Sequence, residues 1–216
     1  MHVDYIDPET NEKWPSATQL TNLLPKDWLW AWYKSSVKRY GWRGWQLNKA
    51  MSKRGMLIGT NVHNALQDLI AHGECSKDTK YNSHKLASAL LNKVEPLISQ
   101  WVDSECHLIS KIGSIHGTCD AIVELKDQTN QVLDWKTSYD KSLEHPIQLA
   151  IYALAWNEQH PERQIYNGMI VRINKKSKKL NVIIDQYPML QQYYPLIHSL
   201  RQLWEYQNKA GKWKEI

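Results

Sequence analysis

Phenylalanine is absent from the 216 residues while Trp and Tyr number 11 each, an imbalance that by itself excludes no fold. Cysteine is scarce. Cys75, Cys106 and Cys119 make an odd count with no C-x-x-C pair, which excludes a disulfide framework and a four-cysteine zinc or iron–sulfur centre and fits a reducing compartment. No apolar run approaches the roughly 20 residues needed to cross a bilayer, so no membrane partner is expected. The opening MHVDYIDPETNEK lacks the apolar or Arg-rich pattern of a targeting peptide, from which a cytoplasmic setting is expected. Neither a repeat nor a Gly/Ser or Pro-rich linker divides the chain. One domain over 1–216 is the expectation, with a helical part over 1–75 and the remainder over 76–216.

What is present matches an ordinary globular chain: 42% apolar and 23% charged residues. The balance of 27 Lys+Arg against 22 Asp+Glu gives +5, which favours polyanions by long-range attraction. Helical spacing of apolar residues runs over Ala17 to Gly41 and over Met56 to His72, where Gly73 supplies a stop. The polar stretch Ser76 to Ser83 reads as a loop, and Lys85 to Asp103 continues helical. From His107 to Lys136, alternating runs broken at Gly113-Ser114 and at Lys126 to Asn130 predict an antiparallel three-strand meander. Pro146 opens a helix over IQLAIYALAWNEQ; strands follow at Ile165 to Ile173 and Leu180 to Asp185, then a helix from about Pro188 to Gln207. The expected fold class is α/β: a mixed central β-sheet, built from the meander, a helix and two further strands, flanked by helices, with a helical N-terminal region.

Two strands of the meander carry chemistry. Period-two sorting of Ile115 to Leu125 puts Ile115, Gly117, Cys119, Ala121, Val123 and Leu125 on one face and His116, Thr118, Asp120, Ile122 and Glu124 on the other. In VLDWK, Asp134 and Lys136 share a side with Val132, opposite Leu133 and Trp135. Were these strands antiparallel neighbours, Asp120 and Asp134 would reach a common divalent cation, the kind of ion that hard oxygen ligands suit. Acid-x-Lys occurs three times, at Asp78-Thr79-Lys80, Glu124-Leu125-Lys126 and Asp134-Trp135-Lys136. Only the third lies on a strand with an upstream acid on a partner strand.

Four motifs, in order, resemble the PD-(D/E)XK nuclease superfamily in its RecB-like exonuclease branch. Gly59-Thr60-Asn61-Val62-His63 is similar to the branch's helical G-x-x-x-H, Gly117-Thr118-Cys119-Asp120 to its G-x-x-D strand, Val132 to Thr137 to its apolar-apolar-D-x-K-T strand, and Gln148 with Tyr152 to its Q-x-x-x-Y. The lead-in Trp14-Pro15-Ser16-Ala17-Thr18, with the Trp-rich helix and Gly41 turn after it, resembles phage and mitochondrial genome maintenance exonucleases. The span concerned runs from about residue 14 to 152. The resemblance implies His63, Asp120, Asp134 and the backbone carbonyl of Trp135 as ligands of Mg²⁺ or Mn²⁺, one ion or two. Lys136 would orient or deprotonate the attacking water, Gln148 and Tyr152 would position the DNA backbone or the nucleophile, and the products would carry 5′-phosphate and 3′-hydroxyl ends. The imidazole tilts the choice toward Mn²⁺. No iron–sulfur cluster is expected, because cluster-bearing members use four cysteines.

His116 and Glu124 share the face assigned to Asp120 and are candidates for supporting it. Six tryptophans lie between Trp14 and Trp45, read first as core and alternatively as platforms for bases of a single strand. Lys34, Lys38, Arg39, Arg43, Lys49, Lys53 and Arg54 interleave with them as phosphate contacts. Lys175, Lys176, Lys178 and Lys179 surround a hairpin turn. The resemblance implies a metal-dependent exonuclease on single-stranded DNA or DNA ends, in recombination, repair or replication, in a bacterial cell or phage-infected host. A recombination or replication protein is a further partner. The alternatives are a structure-specific endonuclease of the same superfamily and a non-catalytic nucleic-acid-binding module.

Overall fold

The computed structural model describes residues 5–78, 80–138, 141–174 and 180–211. A short hairpin, β1 (Tyr5–Ile6) with β2 (Lys13–Trp14), precedes α1 (Ala17–Thr21), α2 (Asp27–Tyr40), α3 (Trp42–His72) and α4 (Ser83–Val94). Strands β3 (Ile98–Ser110), β4 (Ile115–Leu125) and β5 (Asn130–Lys136) follow, then α5 (Glu144–Gln159), β6 (Asn167–Asn174), β7 (Asn181–Tyr187) and α6 (Tyr194–Gly211). The strands form one sheet in the order β3-β4-β5-β6-β7, antiparallel except for the parallel pair β5–β6, which α5 connects. The fold is α/β with a mixed sheet, as the element order predicts.

Helices cover both faces. Residues of α1, α5 and α6, including Leu20, Leu149, Ile151 and Ile197, pack with Val132 and Ile170 on one side. Val62 and Leu66 of α3 and Leu90 and Val94 of α4 pack with Leu133, Trp135 and Val171 on the other. Strand β5 is sunk between the two layers, which explains its apolar run on both faces of one carboxylate.

Four expectations are corrected. Ile98 to Asp103 is strand: Pro96 closes α4 through the 3₁₀ turn Glu95–Leu97, and the LISQWV run that suits a helix also suits a half-buried strand. The helix expected over Ala17 to Gly41 is two, because Pro25 interrupts it; Ser16 caps the first with a capping box in which Ser16 N–H donates to Gln19 Oε1 at 2.8 Å. Helix α3 begins at Trp42, well before Met56, and ends at Gly73 in the left-handed region (φ 77°). The alternation of β4 slips: Ile115 and Cys119 join the α5 side together with Ile122, whereas Ala121, Val123 and Leu125 join the α3 side. The slip falls at Asp120, across from Glu105, whose φ of 52° breaks the regular pleat between the pairs Ser104↔Ala121 and Cys106↔Cys119. The lysine-rich turn at residues 175, 176, 178 and 179 lies outside the described residues.

Candidate active site

The β4–β5 ladder is paired from Glu124↔Asn130 to Ala121↔Leu133, and Asp120 and Asp134 stand just past its last pair. Asp120 spans the opening: its Oδ2 accepts the Trp135 backbone N–H at 2.8 Å, standing in for a backbone carbonyl. Its Oδ1 accepts from Nδ1 of His63, 3.2 Å away on α3. Lys136 Nζ lies 2.6 Å from Asp134 Oδ2 and donates to Gln148 Oε1 at 3.1 Å, and Gln148 Nε2 donates to the Tyr152 hydroxyl at 2.8 Å. The four motifs therefore meet, and the two on α3 and α5 approach the strands from opposite layers.

Glycine explains one of the approaches. A Cβ on Gly117 would stand 2.8 Å from a Tyr152 ring carbon and 3.2 Å from the Ala17 Cβ, so the glycine of G-x-x-D admits the tyrosine of Q-x-x-x-Y. Gly59 faces Thr137, but a Cβ there would lie 3.5 Å from Oγ1, an ordinary contact, so this approach of α3 does not require glycine. Tyr152 is buried against the core and reaches Lys136 through Gln148.

The charged groups at this opening perturb one another strongly. Burial pushes Asp134 up; Lys136 opposes this, and the neighbouring Asp120 charge adds to it, leaving the carboxyl at about 6. Burial also works against the charge on Asp120, yet His63, Lys136 and the Trp135 amide hold its carboxyl below the usual range. Burial draws the His63 imidazole down, and the charge and hydrogen bond of Asp120, with Asp134, more than reverse this, to about 9. Lys136 stays an ammonium: burial disfavours its charge, but Asp134 and Asp120 raise it.

The sequence reading missed Glu105. Ligand atoms of His63, Glu105 and Asp120 all lie within 4.8 Å of one another, a spacing that fits a divalent cation. Its signal was the register of β3, hidden by the helical reading of Ile98 to Asp103. His145 was missed too: it is buried at the start of α5 and held neutral, at about 4, by burial and by the charges of Lys136 and Arg172. Conversely, His116 and Glu124 are not brought to the opening, because four residues of strand carry each about 13 Å away. His116 packs its ring 5.6 Å from that of Tyr5, and Glu124 pairs with Arg163 at 2.6 Å.

Among the basic candidates, Lys38, Arg39, Arg43, Lys53 and Arg54 are all exposed on α2 and α3, with Arg39 over the Tyr40 ring at 5.3 Å and Arg54 over that of Tyr81 at 5.9 Å. Trp14 is core, as expected, but Trp30, Trp42 and Trp45 are 62%, 72% and 37% exposed, which corrects the core reading for these three.

The sequence profile of the PD-(D/E)XK nuclease superfamily matches residues 30–213. The chain belongs to this superfamily. Membership makes it a metal-dependent nuclease with a DNA substrate, and the donor set at the β4–β5 opening fits the Mg²⁺ or Mn²⁺ that PD-(D/E)XK nucleases use. Among solved structures it is similar to the protein SSO0001, at 18% identity and a TM-score of 0.34, over 69% of this chain and 85% of that one. It is also similar to a proposed exonuclease from Eubacterium rectale, at 12% identity and a TM-score of 0.39, over 67% of this chain and 64% of that one. No curated protein matches. Among the described residues, no helix is long and apolar enough to cross a membrane.

Proposed function

We propose that this PD-(D/E)XK nuclease is an exonuclease that hydrolyses single-stranded DNA or DNA ends during recombination, repair or replication. The observation that carries the reading is the convergence of His63, Asp120, Asp134 and Lys136 on one opening of the sheet, beside a helix whose preceding turns are exposed and basic. His63, Asp120 and Asp134 would hold the metal with the Trp135 carbonyl, and Glu105 stands within reach of the same ion. When bound, the metal polarises the scissile phosphodiester and lowers the pKa of its water. The imidazole among the oxygens favours Mn²⁺ over Mg²⁺.

The remaining chemistry belongs to the chain. Lys136 Nζ, anchored by Asp134 and Gln148, presents an ammonium where charge develops on the phosphate and orients the attacking water. Gln148 fixes that ammonium, and Tyr152 fixes Gln148 from the core. Lys38, Arg39, Arg43, Lys53 and Arg54 contact the backbone of the strand without reading its sequence.

The test is digestion of end-labelled linear against covalently closed circular single-stranded DNA with Mn²⁺. Stepwise loss of the linear strand with the circle untouched is expected. Nicking of the circle at comparable rate makes the enzyme an endonuclease.

A further inference from the structure

Helices α2 and α3 pack through polar groups, with Trp30, Tyr40, Trp42 and Trp45 exposed. A Cβ on Gly44 would stand 2.2 Å from the Ser36 carbonyl oxygen, so only glycine lets the two backbones approach this closely. Buried Asn48 pins the contact, accepting from Ser36 Oγ at 3.0 Å and donating to the Trp32 carbonyl at 3.5 Å. Beside this contact lies a cleft of about 370 Å³ lined by Trp30, Tyr33, Lys34, Val37, Lys38 and Trp45. The first five fall on one face of α2 by their spacing, and Trp45 is the opposing wall, its ring 4.6 Å from that of Tyr33 and stacked with Trp42 at an interplanar angle of 10°.

Charge selects the occupant. From Trp28 to Gln67 the chain has seven lysines and arginines and not one Asp or Glu, so a polyanion is favoured all along this segment. Direction follows from helix geometry: 18 residues separate Trp45 from His63, five full turns, so both project from the same side of α3, about 27 Å apart. An aromatic cleft flanked by two ammonium groups suits a planar base attached to phosphates. A duplex keeps its bases stacked inside, whereas a single strand can offer one.

Resting on the nuclease reading of the sheet opening, we propose that the α2–α3 cleft receives one base of a single-stranded DNA whose backbone follows the acid-free side of α3 to Asp120 and Asp134. The cleft is thus a remote anchor that sets which strands are long enough to be held.

The experiment walks a single abasic nucleotide along a fluorescent single-stranded oligonucleotide and measures binding by anisotropy in Ca²⁺, with Mn²⁺-dependent cleavage measured separately. Wild-type protein should show one position, several nucleotides from the scissile phosphate, at which loss of the base weakens binding about tenfold. Trp45→Ala should flatten that position while keeping the slope of affinity against salt, because stacking releases no counterions; Trp45→Phe should restore it. Circular dichroism establishes that both variants fold, and Trp45→Phe guards against loss of structure in the alanine variant. A flat abasic profile in wild-type protein that cleaves with Mn²⁺ overturns the cleft and leaves the nuclease reading standing. Absence of any metal-dependent cleavage overturns both. Concentration-dependent dimerisation abolished by Trp45→Ala, with a flat abasic profile, makes the cleft an interface between copies and also overturns the proposal.

Discussion

The α2–α3 hairpin and the open end of the β4–β5 pair treat polar and apolar groups in opposite ways. In the hairpin, Ser36 and Asn48 are turned in, and Trp30, Trp42, Trp45 and the basic side chains are turned out. At the sheet, two carboxylates, an imidazole and an ammonium are drawn in between apolar layers, with Asp134 only 2% exposed. Buried charges are costly unless compensated, and here all four compensate one another directly in two pairs: Asp120 with His63, and Lys136 with Asp134. The contrast separates two tasks. On the proposed reading, the exposed basic and aromatic face would attract a long anionic strand without discriminating sequence, while the opening, with its carboxylates drawn in between the layers, would take a cation and one phosphate.

Lys136→Ala gives the largest expected effect short of removing a carboxylate. Turnover should fall about 10²- to 10⁴-fold while Mn²⁺ affinity, read by calorimetry, is kept, since an ammonium acts on the water and the developing charge and is no ligand. Unchanged turnover would reduce the Asp134–Lys136 contact to a structural ion pair.

His63→Ala should weaken Mn²⁺ binding roughly tenfold or more and be rescued in part by higher Mn²⁺. The same residue links the opening to pH. Its folded pKa, about 9, lies above the ordinary value of 6.5, so in metal-free protein it stabilises the fold fully below pH 6.5, and that contribution is lost as pH rises through 9. A metal needs the neutral ring, so Mn²⁺ affinity should climb over the window in which metal-free stability declines. Calorimetry at pH 7.5 in buffers of different ionisation enthalpy should record proton release on Mn²⁺ binding. Zero release would remove His63 from the ligand set.

Gly117→Ala should cost about 1–3 kcal/mol of stability by thermal or urea unfolding, since the new methyl must displace the Tyr152 ring or Ala17. A neutral result would show that the close contact between the G-x-x-D strand and the Tyr152 ring is not required. The smallest effect is expected on the other side of the comparison. Replacing Lys38, Arg39 and Arg43 together with Ala should flatten the log–log salt dependence of single-strand binding by up to ~2, at roughly 0.7 per contact, and shorten processive digestion. A wild-type slope would make this face scaffold.

The opening was legible in the sequence because each motif is local. A glycine four residues before a histidine, or Asp-x-Lys after two apolar residues, shows itself without knowledge of the fold. Of what joins the motifs, the β4–β5 pairing was legible and the β3 side was not. Glu105 reaches Asp120 only through the β3–β4 register, and that register was obscured where Ile98 to Asp103 fits two periodicities. The slip in β4 between Cys119 and Ile122 depends on Glu105 at positive φ, which its residue type does not announce. Exposed indoles in α2 and α3 share the spacing of core residues, so nothing local distinguishes Trp45 from Trp14. The meander, the helix and two strands after it in a mixed sheet, and the helical start follow from alternation and helical spacing, and these the structure bears out.

The central claim is that Asp120 and Asp134 make the sheet opening a metal-dependent phosphodiesterase site. Its most direct test is cleavage of an end-labelled single strand by wild-type, Asp120→Asn and Asp134→Asn proteins across a Mn²⁺ titration, alongside DNA binding in Ca²⁺. Either substitution should lower cleavage by about 10³-fold or more at saturating Mn²⁺ while the variant folds and still binds DNA. Wild-type turnover in either variant at saturating metal would contradict the assignment of the site.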